Sequence, residues 1–371
     1  MKFHNQYLLA LSLTKKIGPV TVRNLIAYCG SPEAVFAASK GKLLRTPGVG
    51  NETVARLQNV ANLERAEKEL AYCEKQGIDI LTYLDKDYPQ ALKYIHNAPL
   101  VLFKKGKIDL NQQPAIAIVG TRKATDYGHW MAEVFARFFA EKGINVVSGM
   151  AYGVDIAAHR AVIKAGGRTT AVLAHGLDTL YPGSHAQKAR EMLEKGGWVT
   201  EYFTGTKPEA PHFPARNRII AGMSRAVVVV EAKEKGGALI TARNAFDQNR
   251  EVYAIPGRVG DAHSVGCNLL IRDQIAKLVM DPQEVLEDLD IQWKHHEDQS
   301  EQLEMMLAPL PGHLSAPELK VLNLLAKGER VVDDIAHDTG IPMAQLSPLL
   351  LSLEFKEMLR QLPGKKFRRI R

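Results

Sequence analysis

Ala115–Asp155 reads AIAIVGTRKATDYGHWMAEVFARFFAEKGINVVSGMAYGVD. It opens on an uninterrupted apolar run, Ala115–Val119, short enough for a strand buried on both faces. The turn Gly120-Thr121-Arg122 follows. A helical pattern comes next, with Met131, Val134, Phe135, Phe138 and Phe139 on one face. Gly143 stops it, and a second apolar strand, Ile144–Val147, runs into Ser148-Gly149-Met150-Ala151-Tyr152-Gly153. This is a strand–helix–strand unit with a glycine turn after each strand. Ligands of open parallel sheets bind at the carboxyl ends of the strands, so both turns belong on one functional edge. Gly120 and Gly149 permit close approach of backbone to a ligand. The start of the following helix carries partial positive charge, and Arg122 adds a bidentate fork suited to phosphate oxygens. A lone turn of this kind is as readily a tight strand–helix connection. A basic residue in the turn and a second turn beside it favour phosphate. Neither turn has the lysine-bearing P-loop pattern or G-x-G-x-x-G, which argues against an ATPase or a dinucleotide enzyme.

The chain has 371 residues, 46% hydrophobic and 24% charged, with a formal charge of +7. That is the composition of a globular protein long enough for more than one domain. A modest basic excess is compatible with nucleic acid without requiring it. No apolar run is long enough to span a bilayer. The N-terminus reads as an amphipathic helix rather than a signal peptide. Cys29, Cys73 and Cys267 are scattered without metal-ligand spacing, as in a reduced cytoplasmic protein.

Residues 1–70 read as short helices. Ile17-Gly18-Pro19-Val20 and Pro47-Gly48-Val49-Gly50 each link helix to helix. The pair resembles a helix-hairpin-helix module, whose backbone amides touch DNA phosphate; the alternative is a helical packing module without a DNA site. The central domain is expected over 71–289. It starts with an edge strand at Ile78–Thr82 and a short strand at Val101–Phe103. Later strands are expected at Thr169–Ala174, Trp198–Tyr202, Ala226–Ala232 and Glu251–Ile255, with helices at Ser184–Lys195, Pro214–Met223 and Leu239–Asn249 between them. Such alternation predicts a doubly wound, mostly parallel α/β sheet.

Polar constellations recur at the strand ends. Arg216 and Arg218 flank Asn217 near a helix start, with Phe213 just before. Arginines bind backbone phosphate, and an aromatic face can stack an unpaired base. Phe213 as a core residue and Phe213 as a base platform stand even on the pattern. At least one arginine should be structural, because neighbours two apart on a helix point to different sides; Glu201 and Asp178 are its candidate partners. Lys235 follows the Ala226 strand, and Arg243 lies in the next helix. His159 reads as a packing histidine, and Asp155 as a cap or brace of the second turn. No paired carboxylates and no metal cluster emerge. A linker is expected over 290–313. A three-helix pattern with a basic C-terminal strand follows over 314–371 and resembles a winged helix. Its later helix, MAQLSPLLLSLEFKEML, is apolar, which favours packing or protein contact over groove readout.

These motifs together resemble the DprA/Smf family of DNA-processing proteins. The match runs through Val119-Gly120-Thr121-Arg122, Ser148-Gly149-Met150-Ala151, Gly153-Val154-Asp155, Ala158-His159, Gly176-Leu177-Asp178, Tyr181-Pro182, Phe213-Pro214, Arg216-Asn217-Arg218-Ile219-Ile220, Gly237, Leu239–Arg243, Pro256-Gly257 and Gly266 with Asn268–Ile271, in family order. The resemblance implies an extended Rossmann-like domain, with helical and winged-helix domains on either side. It also implies a homodimer that binds single-stranded DNA and helps load RecA in natural transformation. The residues themselves give no catalytic residue, cofactor, metal or membrane segment to expect. The Gly120-Thr121-Arg122 turn maps onto the family's DNA pocket. DNA or phosphate contact is expected of Gly120, Thr121, Arg122, Ser148, Gly149, Phe213, Arg216, Arg218, Lys235, Gly237, Arg243 and Asn268. Tyr152 stands where the family usually has arginine, which removes a basic contact or substitutes a stacking group. Gly237-Ala238 replaces the more usual Gly-Ser. Two rivals share the fold: a nucleotide or nucleoside-phosphate hydrolase, which needs Asp155, Asp178 or Glu201 as acid or base, and a nucleotide sensor.

Overall fold

The quoted stretch lies at the centre of a nine-stranded sheet. In chain order its strands are β1 (Asp79–Thr82), β2 (Val101–Gly106), β3 (Ala115–Val119), β4 (Asn145–Ser148), β5 (Thr169–Val172), β6 (Gly197–Thr200), β7 (Ala226–Val229), β8 (Glu251–Ala254) and β9 (Lys277–Leu278). They lie side by side as β1-β2-β6-β5-β4-β3-β7-β8-β9. The run from β6 to β9 is parallel, and β1 and β2 add an antiparallel edge. Every residue of β3 to β7 is buried, which is why β3 and β7 read as continuous apolar runs.

This computed structural model describes residues 2–57, 61–112, 114–291, 315–326, 328–356, 358–362 and 365–370. The chain folds as two compact units, Met1–Trp293 and Lys294–Arg371. From residue 292 to its end, the expected linker lies outside the described residues.

Alternation along β3 assigns the two faces. Ala115, Ala117 and Val119 pack with Ile219, Ile220, Leu239 and Ala242, from the helices His212–Met223 and Gly237–Asp247. Ile116 and Ile118 pack with Phe135, Phe139, Ala158 and Val162, from the helices Asp126–Glu141 and Val154–Lys164. The N-terminal helices continue this second face across β2, β5 and β6: Leu8, Leu11 and Leu25 share a core with Phe103, Ala171 and Trp198. Residues 2–57 therefore join the sheet's own core.

Strand order decides where a ligand can enter. Connections from β3 run through β4 to β6 on one side, then return to β7 on the other. The order reverses between β3 and β7, and a crevice opens beyond the carboxyl ends of strands at such a point.

Among its described residues the second unit contains three helices, Ala316–Leu325, Val332–Thr339 and Met343–Phe355. A small sheet accompanies them: β10 (Arg330–Val331), β11 (Leu359–Leu362) and β12 (Lys366–Arg369). Ser315 caps the first helix through a capping box with Glu318. The apolar helix Met343–Phe355 buries Leu346, Leu350 and Leu353 in this unit's core, so packing accounts for its composition. Among the described residues no helix is long and apolar enough to cross a membrane.

Candidate nucleic-acid interface

A cleft of about 670 Å³ opens at the β3–β7 reversal. Its walls come from the turn after β3 (Gly120 to Lys123), the segment after β7 (Ala232 to Ala238), the start of the helix His212–Met223, and Tyr181 and Pro208 from neighbouring loops. Arg122, Lys123, Lys233 and Lys235 are exposed there. The lining contains one carboxylate, Asp155, which is buried. It accepts the amides of Gly149 and Ala151, both at 3.2 Å, and so braces the second turn. The cleft lining therefore presents positive charge; the exposed anion of the segment after β7, Glu234, is not among the lining residues.

Glu231, just past β7, holds the first turn. Its carbonyl accepts the Thr121 N–H at 2.7 Å, and its carboxylate accepts the Thr125 N–H at 3.0 Å and hydroxyl at 2.5 Å. Thr125 in turn caps the helix Asp126–Glu141. Gly120 is glycine for an internal reason as well: a Cβ there would overlap the Val154 side chain. Two loops of different strands thus lock the turn that carries Arg122. Arg122 lies over the Phe213 ring, 4.9 Å from its centroid. Tyr181 lies 6.0 Å from the same ring. Phe213 is half-buried, so it serves the packing and also offers surface to the cleft.

Arg216 does something else. It is 3% exposed and forms part of the cleft floor. Its Nη1 donates to the carbonyls of Gly149, at 2.8 Å, and Val172, and its Nε to Asn217 Oδ1 at 3.2 Å. Asn217 Nδ2 then donates to the Gly237 carbonyl at 3.2 Å. One chain of bonds joins the loop after β4, the carboxyl end of β5 and the segment after β7. Burial lowers the Arg216 pKa to about 10, partly offset by Asp155. Burial likewise raises the Asp155 carboxyl, with Arg216 and the turn amides opposing it. Gly149 makes room for this strut: a Cβ there would stand 2.7 Å from the guanidinium carbon.

The fold places several of the expected contact residues away from the cleft surface. Arg218 is held by Glu201 in a bidentate pair, 2.9 and 2.6 Å, away from the cleft. Ser148 is fully buried and donates to the Ile118 carbonyl at 2.7 Å. Asn268 uses both ends of its amide on Gly257, at 3.2 and 3.0 Å. Arg243 is exposed but lies outside the lining, as does Tyr152, whose ring packs 4.8 Å from His185. Arg216 and Gly149 brace the site from inside. Gly120, Thr121, Arg122, Phe213, Lys235 and Gly237 are the expected residues that the fold brings to the cleft surface.

Lys123, Lys233, Tyr181 and Glu231 are the additions. The two lysines neighbour expected residues, and Tyr181-Pro182 is part of the motif set without a chemical role attached. Nothing local in the sequence marks Glu231 as the anchor of a turn about a hundred residues earlier. The loop that leads to Pro208 and Ala210 of the lining is held from the N-terminal layer. Glu69, fully buried, accepts the Thr204 N–H and hydroxyl at 2.9 and 2.6 Å, while Arg65 donates to the Thr204 carbonyl at 2.6 Å. Asp178 accepts the Gly205 N–H at 3.0 Å. His159 is fully buried with Nδ1 2.7 Å from Thr169 Oγ1, and burial lowers its pKa to about 3.

Among the described residues no group of histidine, cysteine or carboxylate side chains has metal-holding geometry.

Comparison with known proteins agrees with this architecture. Residues 79–290 match the family model for DNA recombination-mediator protein A, 307–365 the DprA winged helix domain, and 8–62 a SAM-like helix-hairpin-helix tandem. Protein Smf of Synechocystis is 31% identical, with 98% of each chain covered. The X-ray structure of DNA processing protein A from Streptococcus pneumoniae superposes with a TM-score of 0.62 at 32% identity, covering 78% of this chain and 99% of that one. A structure of the Helicobacter pylori protein, described for its single-stranded DNA binding mode, gives 0.53 at 27% identity over 58% and 97%. The chain therefore belongs to the DprA/Smf family of DNA recombination-mediator proteins.

Proposed function

We propose that the chain is a non-enzymatic single-stranded DNA-binding protein whose site is the cleft between β3 and β7. The observation that carries this reading is the joint placement of Arg122, Lys123, Lys233 and Lys235 around Tyr181 and the half-buried Phe213. Cations track a phosphate backbone, and aromatic rings accept bases of any identity. Binding is then weakly sequence-dependent and strongly salt-dependent. Relatives named as DNA-processing proteins, one with a described single-stranded DNA mode, support the same reading. The hydrolase rival needs a free acid or base at the rim. Asp155, Asp178 and Glu201 are each engaged by backbone amides or by Arg218.

The same reading places the chain in natural transformation, protecting incoming strands and helping RecA assemble on them; the recombination-mediator description of the matching family supports it. It works as a homodimer. What supports pairing is the open edge at β9, fringed by exposed Phe246, Leu278 and Met280.

The test is equilibrium binding of labelled oligo-dT and a matching duplex to the wild type and to Phe213→Ala. Preference for the single strand, reduced in the variant, agrees with the reading. Equal binding of both DNAs, unchanged by the substitution, contradicts it. Release of base or phosphate from a nucleotide panel would shift the assignment to the hydrolase, and tight nucleotide binding that displaces DNA would shift it to the sensor.

A further inference from the structure

The helix Asp126–Glu141 turns one face inward, where Met131, Phe135 and Phe139 fill the sheet's core. Its start also carries two large aromatic side chains that the core does not use. Tyr127 is 45% and Trp130 52% exposed, and their rings lie 6.2 Å apart at a tilt of 44°. Three positions apart on a helix, they are neighbours on one surface. A single exposed ring is ordinary, but two in contact make an apolar patch held in water at a cost. Further along the helix the exposed positions are charged: Glu133, Arg137 and Glu141.

The pair sits at the rim of the cleft. Thr125 caps the helix and is held by Glu231, and Lys123, two residues earlier, lines the cleft. Lys123 and Tyr127 are four residues apart, so their Cα atoms are separated by no more than about 14 Å. Glu231 also stands beside Tyr127. Burial, with this carboxylate nearby, raises the pKa of the Tyr127 hydroxyl, and a Cβ on the next residue, Gly128, would overlap the Glu231 carboxylate. One anchor therefore sets both the turn that carries Arg122 and the start of the aromatic pair.

The patch repeats the chemistry of the cleft. Inside, Tyr181 and Phe213 are 6.0 Å apart and tilted by 54°, with Arg122 over Phe213. Outside, Tyr127 and Trp130 have nearly the same separation and tilt, with the exposed Lys123 between them and the cleft in the chain. The charge differs. Asp126 and Glu133 are exposed on the same helix, so this surface is unsuited to phosphate and offers ring faces instead. A single strand longer than the cleft must run on across its rim, and its bases are free to turn onto a ring. A duplex keeps its bases stacked on one another.

We propose that Tyr127 and Trp130 form an outer platform on which bases of a single strand stack after its backbone has left the cleft past Lys123. This rests on the cleft reading above and extends that site by contacts to bases rather than to phosphates.

The experiment measures equilibrium binding to the full chain of three labelled strands. They are an oligo-dT of about four nucleotides, an oligo-dT of about twelve, and an abasic strand of the longer length, which keeps the phosphates and lacks the bases. Removing an aromatic platform costs on the order of tenfold per stacked base. Trp130→Ala should therefore weaken the long oligo-dT about tenfold with its salt slope unchanged, and leave the short oligo-dT and the abasic strand within about twofold of wild type. Trp130→Phe should keep most of the affinity. Trp130→Leu, which retains apolar bulk without a ring, should lose it as Trp130→Ala does. Thermal melts check that each variant is folded. Wild-type affinity for the long oligo-dT in Trp130→Ala or Trp130→Leu, or an equal loss on the long oligo-dT and the abasic strand, would overturn the inference; the first is the result expected if the pair serves a protein partner instead. Phe213→Ala tests the cleft separately and should weaken short and long oligo-dT alike. If Phe213→Ala binds both as the wild type does, the cleft reading fails and the platform has no strand to receive. If only Trp130→Ala does, the cleft stands and the platform falls.

Discussion

The turns after β3 and β4 look alike in the sequence, each a glycine following a buried apolar strand, but they do different work. The first holds Arg122 out over Phe213 at the cleft surface. The second faces inward and, with Asp155 beneath it, forms a socket for the buried guanidinium of Arg216. A glycine after a strand signals close approach; what approaches is decided by residues far away in the chain. At Gly149 it is the protein's own arginine.

The comparison breaks most visibly at Arg216. Arg216→Met removes a buried charge that ties three loops together and leaves the Val172 and Gly149 carbonyls unpaired. Loss of one member of such a buried charged network costs about 3–5 kcal/mol, so urea unfolding should show a midpoint well below wild type. Gly149→Ala should follow at about 2–3 kcal/mol, because the new methyl forces the guanidinium from its carbonyl partners. Arg122→Ala should do the reverse of Arg216→Met. Exposed and free of ion pairs among the described residues, it should change stability by no more than about 0.5 kcal/mol while DNA affinity falls roughly tenfold or more. If both arginines cost stability and neither affects binding, the division of labour between the turns is wrong.

A pH titration sharpens the same contrast. Burial lowers the His159 pKa from 6.5 to about 3, so below pH 6.5 the unfolded chain takes up a proton that the folded chain refuses. Stability should fall as the pH drops from 6.5 toward 3, by up to about 1.4 kcal/mol per pH unit for this residue. Burial lowers the His175 and His185 pKa values too and adds in the same direction. His159→Gln should flatten the slope by about one proton, as read from midpoints at pH 7 and pH 5. An unaltered slope would show that His159 is not held neutral. The smallest effect belongs to Arg218→Gln. Its partner Glu201 is partly exposed, so stability should drop by about 1 kcal/mol, with the DNA salt slope unchanged because this arginine lies outside the cleft.

Much of the fold was legible because parallel strands buried on both faces leave uninterrupted apolar runs, as in Ala115–Val119 and Ala226–Val229. The helices between them carried periodic apolar faces, as in Met131, Phe135 and Phe139. The site was legible in part. The requirement that Arg216 and Arg218 diverge followed from helix geometry, but that neither would present a free guanidinium to the cleft surface depended on Glu201 and on the backbone of β4 and β5. Ser148 and Asn268 sit in the right motifs, yet their polar groups are consumed by neighbouring carbonyls and amides. Local pattern carries no record of such long-range partners. The N-terminal helices read as a separate domain because their motifs are self-contained; their core with Phe103, Ala171 and Trp198, and the Glu69–Thr204 bonds, involve residues far along the chain.

The central claim is that Arg122, on the first turn, meets DNA phosphate at the cleft. The most direct test is the salt dependence of oligo-dT binding for the wild type and for Arg122→Ala, both shown to be folded by thermal melting. The account predicts weaker binding and a log–log slope shallower by about 0.7, the share of one phosphate on a single strand. A variant that keeps the wild-type affinity and slope at moderate salt would contradict it.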